Sequence, residues 1–309
     1  MRPITNVQSV RTAGILPISR VRTDEAGTIK FAQRTADGLE IESVVIPMRG
    51  RGVAWKTLCL STQVGCARGC TFCQTARMGL VRNLTVEEIV GQVVAARDRL
   101  GASIRNVVFM GMGEPLDNLH SVISAVERLH SDRAHQIPRR RITISTAGRC
   151  HGIRRLARLK WRRLNLAVSL NAPNDRIRSA IMPINRIEPM ARLHEAIAAY
   201  PIRGGGHVLI EYVLLKGVND RPEHARELAA YLEGLRTCVN LIPWNPSAGL
   251  PYETPDEATI EDFKRILVAA GQLTFRRITR GRPAWGACGQ LGTPGVAGAV
   301  SATVAGSKL

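Results

Sequence analysis

Short apolar runs alternate with longer amphipathic stretches through most of this chain, and that rhythm constrains its fold more than any other feature. The runs lie at 55–60, 106–110, 141–146, 164–170, 208–214, 238–242 and 274–278. They are not strict polar–apolar alternations, as expected of strands in a parallel sheet covered by helices. Helical patterns fill the intervals at 85–100, 119–131, 153–159, 189–199, 221–235 and 255–270. Thr85 followed by Glu88 makes a capping box, and Gly101 and Gly271 stand where helices end. Six or so βα units in series predict an α/β fold, most economically a partial (β/α)6-type TIM barrel. Active residues then belong on the loops after the strands' C-terminal ends.

Ahead of this region, β-like runs at 15–21, 28–34 and 39–46 are separated by Asp24-Glu25-Ala26-Gly27 and Ala36-Asp37-Gly38, which reads as a hairpin or meander. The chain thus divides into a flexible arm (1–14), a β extension (15–50), the barrel (51–288) and a disordered Gly/Ala-rich tail (289–309). With 45% hydrophobic residues a sizeable core is possible and wholesale disorder is excluded. No apolar run approaches the roughly 20 residues that span a bilayer, and no hydrophobic signal region opens the chain. The expectation is a cytoplasmic protein with no membrane contact.

Lys and Arg number 43 against 25 Asp and Glu, a net charge of +18 that favours a polyanionic partner such as nucleic acid. Residues 139–163 concentrate it: Arg139, Arg140, Arg141, Arg149, Arg154, Arg155, Arg158, Lys160, Arg162 and Arg163, with no acid among them. Arg155, Arg158 and Arg162 fall at helical spacing. Self-repulsion along such a stretch favours phosphate contact over a merely solvated face.

Of seven cysteines, Cys66, Cys70 and Cys73 form a C-x3-C-x2-C loop directly after the first strand of the α/β region. Three thiolates on one tight loop suit a cubane [4Fe-4S] cluster with its fourth iron open to a ligand. Structural zinc, with Cys59 or a distant cysteine as fourth ligand, is the alternative, but the second knuckle such sites use is missing.

This motif, with an aromatic before its last cysteine, resembles the radical S-adenosylmethionine superfamily. Within it the chain looks like the RlmN/Cfr family, which methylates adenine carbon in RNA. The resemblance covers about residues 28 to 291 and is carried by Gly38 to Glu42, Thr57-Leu58-Cys59, Gly65 to Cys73, and Arg82 to Thr85. It continues through Gly111-Met112-Gly113-Glu114-Pro115, Ile144-Ser145-Thr146, Ala167 to Asp175, Ile210 to Val213, Asn219-Asp220, Asn240 to Pro246 and Ala287-Cys288-Gly289-Gln290-Leu291. Only 27 residues precede the matching segment, so the resemblance implies a shortened form without the family's N-terminal accessory domain.

The resemblance implies a radical S-adenosylmethionine core, with Cys66, Cys70 and Cys73 as cluster ligands. Gly113, Glu114, Ser145, Ser169, Leu170, Asn171 and Asn245 would contact S-adenosylmethionine. Asn171 replaces the family's usual His and cannot be protonated near pH 7. Cys288 would carry the methyl group, Cys59 would be the second catalytic cysteine, and Glu42 a proton acceptor, although a Glu in an alternating strand is ordinarily on its solvent face. An adenine C2 or C8 carbon is electron-poor, so direct attack on a sulfonium methyl is closed and a methyl-cysteine route is implied. Cys150 and Cys238 match no catalytic position and read as structural.

The expected activity is methylation of adenine carbon, C2 in preference to C8, in ribosomal RNA, with flavodoxin or ferredoxin as electron donor. A second reading keeps this chemistry for transfer RNA, another RNA or a peptide. A third, a non-catalytic iron–sulfur RNA-binding protein, has no use for Cys59 and Cys288.

Overall fold

The computed structural model describes residues 16–292 apart from 51, 162 and 203; the expected arm and residues 293–309 of the expected tail lie outside it. Strands β1 (Ile18–Thr23), β2 (Ile29–Arg34) and β3 (Glu40–Gly50) form an antiparallel meander, and β3 pairs antiparallel with β4 (Val53–Cys59). A two-stranded ladder of β5 (Gln63–Gly65) and β6 (Leu80–Asn83) then brackets the cysteine loop. The rest alternates: α1 (Val86–Val94), β7 (Ile104–Phe109), α2 (Leu119–Ser131), β8 (Ile142–Thr146), α3 (Cys150–Arg158), β9 (Asn165–Ser169), α4 (Asp175–Ile181), α5 (Met190–Ala198), β10 (Val208–Leu214), α6 (Pro222–Tyr231), β11 (Thr237–Pro243), α7 (Glu257–Ala269) and β12 (Leu273–Arg276).

One sheet runs β1-β2-β3-β4-β7-β8-β9-β10-β11-β12. Every neighbour pair from β4 to β12 is parallel. Its first and last strands are not partners, so the barrel is partial, and the β extension continues the same sheet. Alternation along each strand explains both faces. Val107, Ile142, Ile144, Val168, Ile210 and Leu241 are fully buried in one core with Val93, Val122, Ile153, Leu193, Leu228 and Phe263 of the helices. The intervening residues, among them Thr57, Asn106, Thr143, Asn165, Glu211 and Asn240, line a cavity on the concave side. A closed barrel fills its interior with branched apolar side chains. Here the inner face mixes polar side chains with apolar ones such as Val108, Met110, Leu209 and Ile242, and encloses space.

The capping box forms as expected: the Glu88 amide donates to Thr85 Oγ1 at 3.2 Å and the Thr85 amide to Glu88 Oε2 at 2.9 Å. Three local features differ from the sequence reading. The helix expected at 85–100 is α-helical only to Val94, and Ala95–Arg99 widen into a π turn. Residues 289–292, assigned to the tail by composition, are seated against the site, with Gln290 and Leu291 buried. Helix α4 was not expected; at seven residues it shows little periodicity, and Asn174 caps it by accepting from the Ile177 amide at 3.0 Å.

That helix places Arg178, whose side chain is fully buried. It donates to Leu170 O at 3.1 Å, Asn185 Oδ1 at 2.9 Å and Ala147 O at 2.6 Å, tying the loops after β8 and β9 together. Among the described residues no helix is long and apolar enough to cross a membrane. Arg178→Met should leave these acceptors unpaired and lower stability by about 3 kcal/mol. Denaturant unfolding checks it; a loss under about 1 kcal/mol would show that water replaces the guanidinium.

Candidate active site

The cysteine loop leaves β5 and returns through β6, pinned at both ends and in the middle. The Cys66 amide donates to Gly79 O at 2.8 Å, the Thr71 amide to Ile181 O at 3.0 Å, and Trp244 Nε1 to Phe72 O at 3.2 Å. Cys66, Cys70 and Cys73 are all half-buried and line one cavity of about 170 Å³. Burial pushes the Cys66 thiol up to about 12 and raises Cys70 and Cys73 as well. Thiolates there call for a cationic metal. Among the described residues no three His, Cys, Asp or Glu side chains converge where a single ion would sit. A cubane asks for something else, one thiolate per iron at separate corners, and three cysteines on one loop around one cavity meet that demand.

The loop after β7 forms the next wall. Gly113 has φ +98°, and a Cβ there would lie 2.6 Å from Gln63 Cβ, so only glycine lets the backbone pass. The following amide, Glu114 N, donates to Gln63 Oε1 at 2.8 Å. The Glu114 carboxylate accepts from the amides of Ala147 at 2.7 Å and Leu116 at 3.0 Å. Burial nevertheless pushes its pKa up to about 7, against the pull of those amides. A buried carboxylate facing a cavity is the partner an ammonium group requires, which fits the amino-acid end of S-adenosylmethionine.

Ser145, Ser169, Asn171 and Asn245 line the same cavity. Asn171 is buried at φ +57°, and its Oδ1 accepts from the Val213 amide at 2.9 Å, so its side chain also fastens β10. Leu170 does not line the cavity: its side chain is packed in the core and its carbonyl accepts from Arg178. Strand alternation sends it to the opposite face from Ser169. Cys150 and Cys238 are buried and line neither cavity.

A larger cavity of about 740 Å³ extends along the inner face of the strands, and Cys288, Arg277 and Glu211 line both spaces. Cys59 lines the larger one only. Its thiol is pushed up to about 12 by burial and by Cys288, against the effect of Arg277. Arg277 also interacts with Cys288, which raises the guanidinium pKa in return, and lies 3.8 Å from Glu211. Asn240 Nδ2 donates to Glu211 Oε2 at 2.7 Å.

Arg277, Glu211, Asn240 and Gln63 escaped the sequence reading. Arg277 looks like any member of the basic pair Arg276-Arg277, and Glu211 lay inside a matching stretch without a role. Glu42 is placed differently from the solvent-facing carboxylate its strand suggests. It is 3% exposed, lines neither cavity, and its Oε2 is 2.8 Å from Lys30 Nζ.

Basic side chains gather at the larger cavity, where Arg49, Arg140, Arg141, Arg276 and Arg280 contribute to the lining. Folding also gives the stretch at 139–163 acids that its own sequence lacks. Arg149 pairs with Asp117 at 2.8 Å and Arg154 with Glu195 at 3.5 Å. Helix α3 ends at Arg158, and position 162 lies outside the described residues.

Comparison with known proteins gives a consistent picture. Residues 60–229 match the radical SAM superfamily. The probable dual-specificity RNA methyltransferase RlmN 1 of Protochlamydia amoebophila is 46% identical over 289 residues, covering 94% of this chain and 79% of that protein. The dual-specificity RNA methyltransferase RlmN of Phenylobacterium zucineum is 47% identical over 275 residues, covering 86% and 70%. A radical SAM methyltransferase from Sphaerobacter thermophilus superposes with a TM-score of 0.84 at 44% identity, covering 89% of this chain and 81% of that one.

The Glu114 carboxyl sets a pH dependence for iron-free protein. The fold keeps its proton up to about pH 7, whereas the unfolded chain releases it near 4.5. Its contribution is therefore full below the unfolded value and is lost as pH rises through the folded one. Relative to Glu114→Gln, the wild type should lose about 3 kcal/mol of stability across that window. Thermal unfolding of the two at a series of pH values measures it; a constant difference would rule it out.

Proposed function

The chain belongs to the radical SAM superfamily and, within it, to the RlmN family, and from that membership we propose that it methylates adenine carbon in RNA through a methyl group carried on Cys288. The preferred atom is C2 over C8, and the preferred substrate ribosomal RNA, with transfer RNA second. Relatives described as RNA methyltransferases support an RNA substrate. The observation that carries the reading is the position of Cys288, which borders both the cavity of the cluster cysteines and the larger, Arg-lined one.

Cys66, Cys70 and Cys73 would hold the [4Fe-4S] cluster, and Glu114 with Ser145, Ser169, Asn171 and Asn245 would hold S-adenosylmethionine. When bound, these groups supply an electron, a methyl group and a carbon radical, chemistry that side chains alone cannot perform. Cys288 takes up the methyl on its sulfur, which needs the thiolate, and the Arg277 guanidinium hydrogen-bonds to that side chain. Cys59 stays protonated at neutral pH because it is buried, and shares the larger cavity with Cys288. That placement suits release of the product by attack of the Cys59 sulfur on the Cys288 sulfur: the S–S bond forms as the bond from Cys288 to the transferred carbon breaks, and that carbon keeps the electron pair and takes up a proton.

The substrate base must leave its stack to reach Cys288. Arg49, Arg140, Arg141 and Arg280 along the larger cavity are suited to the flanking phosphates. We place the reaction in the cytoplasm, with flavodoxin or ferredoxin as reductant.

Anaerobically purified protein given S-adenosylmethionine should carry a methylated Cys288 by mass spectrometry. Cys288→Ala should lower RNA methylation at least about a thousandfold while keeping its iron. Cluster-loaded protein that never methylates Cys288 would sink the carrier mechanism. Nucleosides from cells with and without the gene decide the target, since unchanged 2-methyladenosine and 8-methyladenosine would remove adenine carbon as the substrate. Cys66→Ala should abolish bound iron, and retained iron would disprove its assignment as a ligand.

A further inference from the structure

The segment that carries Cys288 follows β12, at one edge of the open sheet, yet its anchors lie on β2 and β3 toward the other edge. Trp285 O accepts from Lys30 Nζ at 3.0 Å, and the Gly292 amide donates to Glu42 Oε2 at 2.8 Å. Lys30 and Glu42 are themselves 2.8 Å apart, and are 5% and 3% exposed. One ion pair therefore grips both ends of the stretch 285–292, with Cys288 between the grips. Backbone packing adds to this seat: a Cβ on Gly286 would lie 3.2 Å from Val44 Cγ1 on β3. From the barrel side the Gln74 amide donates to Gly289 O at 2.8 Å and Asn245 Nδ2 to Cys288 O at 3.2 Å.

A buried ion pair is a poor device for stability alone, because an apolar pair of similar volume serves as well or better. What the charged pair adds is direction. An ammonium offers three donors and a carboxylate two acceptor oxygens, and here each reaches one end of the same segment. We infer that Lys30 and Glu42 form a positioning pair for Cys288, so that Glu42 acts by fixing the thiol's location and not by touching the reacting atoms. This rests on the proposed role of Cys288. It accords with Glu42 lining a small cleft with Arg20, Arg22 and Lys30 instead of either cavity that Cys288 faces.

The test uses the iron-loaded full chain as wild type, Lys30→Met, Glu42→Gln, Lys30→Arg and the double variant Lys30→Met/Glu42→Gln. Hydrogen exchange is followed in the peptide spanning 281–292 and in β7 to β9, beside S-adenosylmethionine affinity and the rate of Cys288 methylation. Lys30→Met should raise exchange in 281–292 at least about tenfold and slow Cys288 methylation by a similar factor, with cofactor affinity and strand exchange unchanged. Lys30→Arg, which keeps charge and donors, should restore part of both.

The double variant leaves no unpaired buried charge and should regain the thermal midpoint. Its 281–292 peptide should stay loosened, because Met cannot donate to Trp285 O. It carries the test should a single variant fail to fold. Wild-type exchange at 281–292 in the double variant would reduce the pair to a stabiliser of the β extension and overturn the inference. So would a Glu42→Gln enzyme dead on RNA beside a Lys30→Met enzyme with normal exchange and normal Cys288 methylation, since Glu42 would then act on the reacting atoms. If wild type itself never methylates Cys288, the proposed function falls, while the exchange data still decide whether the pair holds the segment.

Discussion

The sheet does not close, and the rest of the site depends on what spans its opening. After β12 the chain runs to β2 and β3, where Arg280 donates to Pro47 O, Lys30 holds Trp285 O and Glu42 holds the Gly292 amide. On the other side Gln290 Nε2 donates to Pro246 O at 2.8 Å and Thr75 Oγ1 to Leu291 O at 2.7 Å. The segment is thus bonded both to the β extension and to the cysteine-loop side of the barrel mouth. Hydrogen bonds of this kind, shielded from water, are worth more than exposed ones and demand defined geometry. A reactive thiol far from the cluster loop in sequence reaches the same space through them.

An open sheet also settles the character of its interior. The convex face is sealed by helices in one apolar core, while the concave face presents Thr, Asn, Glu and Cys to a cavity. Burial then becomes an electrostatic instrument. It holds Cys59 protonated, raises the cluster thiols, and lifts Glu114 toward neutrality. Charge is tolerable in such places only where a counter-charge arrives, from iron, from an ammonium group or from Arg277. The cofactor cavity is therefore specified as much by what it makes costly as by the contacts it offers.

Charge on the surface follows a different logic. Arg149 and Arg154 look unpaired along the chain but are matched by Asp117 and Glu195 from other elements. Arg139 lies over the ring of Trp161, with 4.8 Å between guanidinium and centroid. What stays available to a polyanion is narrower than the sequence suggested, and Arg140 and Arg141 belong to it because they line the larger cavity.

Sequence by itself determined whatever depends on neighbours a few residues apart. Cys66, Cys70 and Cys73 lie within eight residues and so stay close together in any fold, Thr85 and Glu88 cap a helix across a single turn, and Gly113 marks a backbone passage that a side chain would block. Apolar periodicity likewise yielded six βα units and the end of the sheet that bears the site. Tertiary structure alone decided the rest. The Lys30–Trp285 bond joins positions 255 residues apart, and no local pattern distinguishes such a lysine from a solvated one. Arg277 and Glu211 acquire their roles across the sheet, from the end of β12 and from β10 with β11 between them, Arg178 from two loops it meets only when folded, and Leu170 loses its expected place to strand alternation. Spacing along a chain encodes contacts within a turn or a loop; which buried charges face one another depends on how the whole sheet curves.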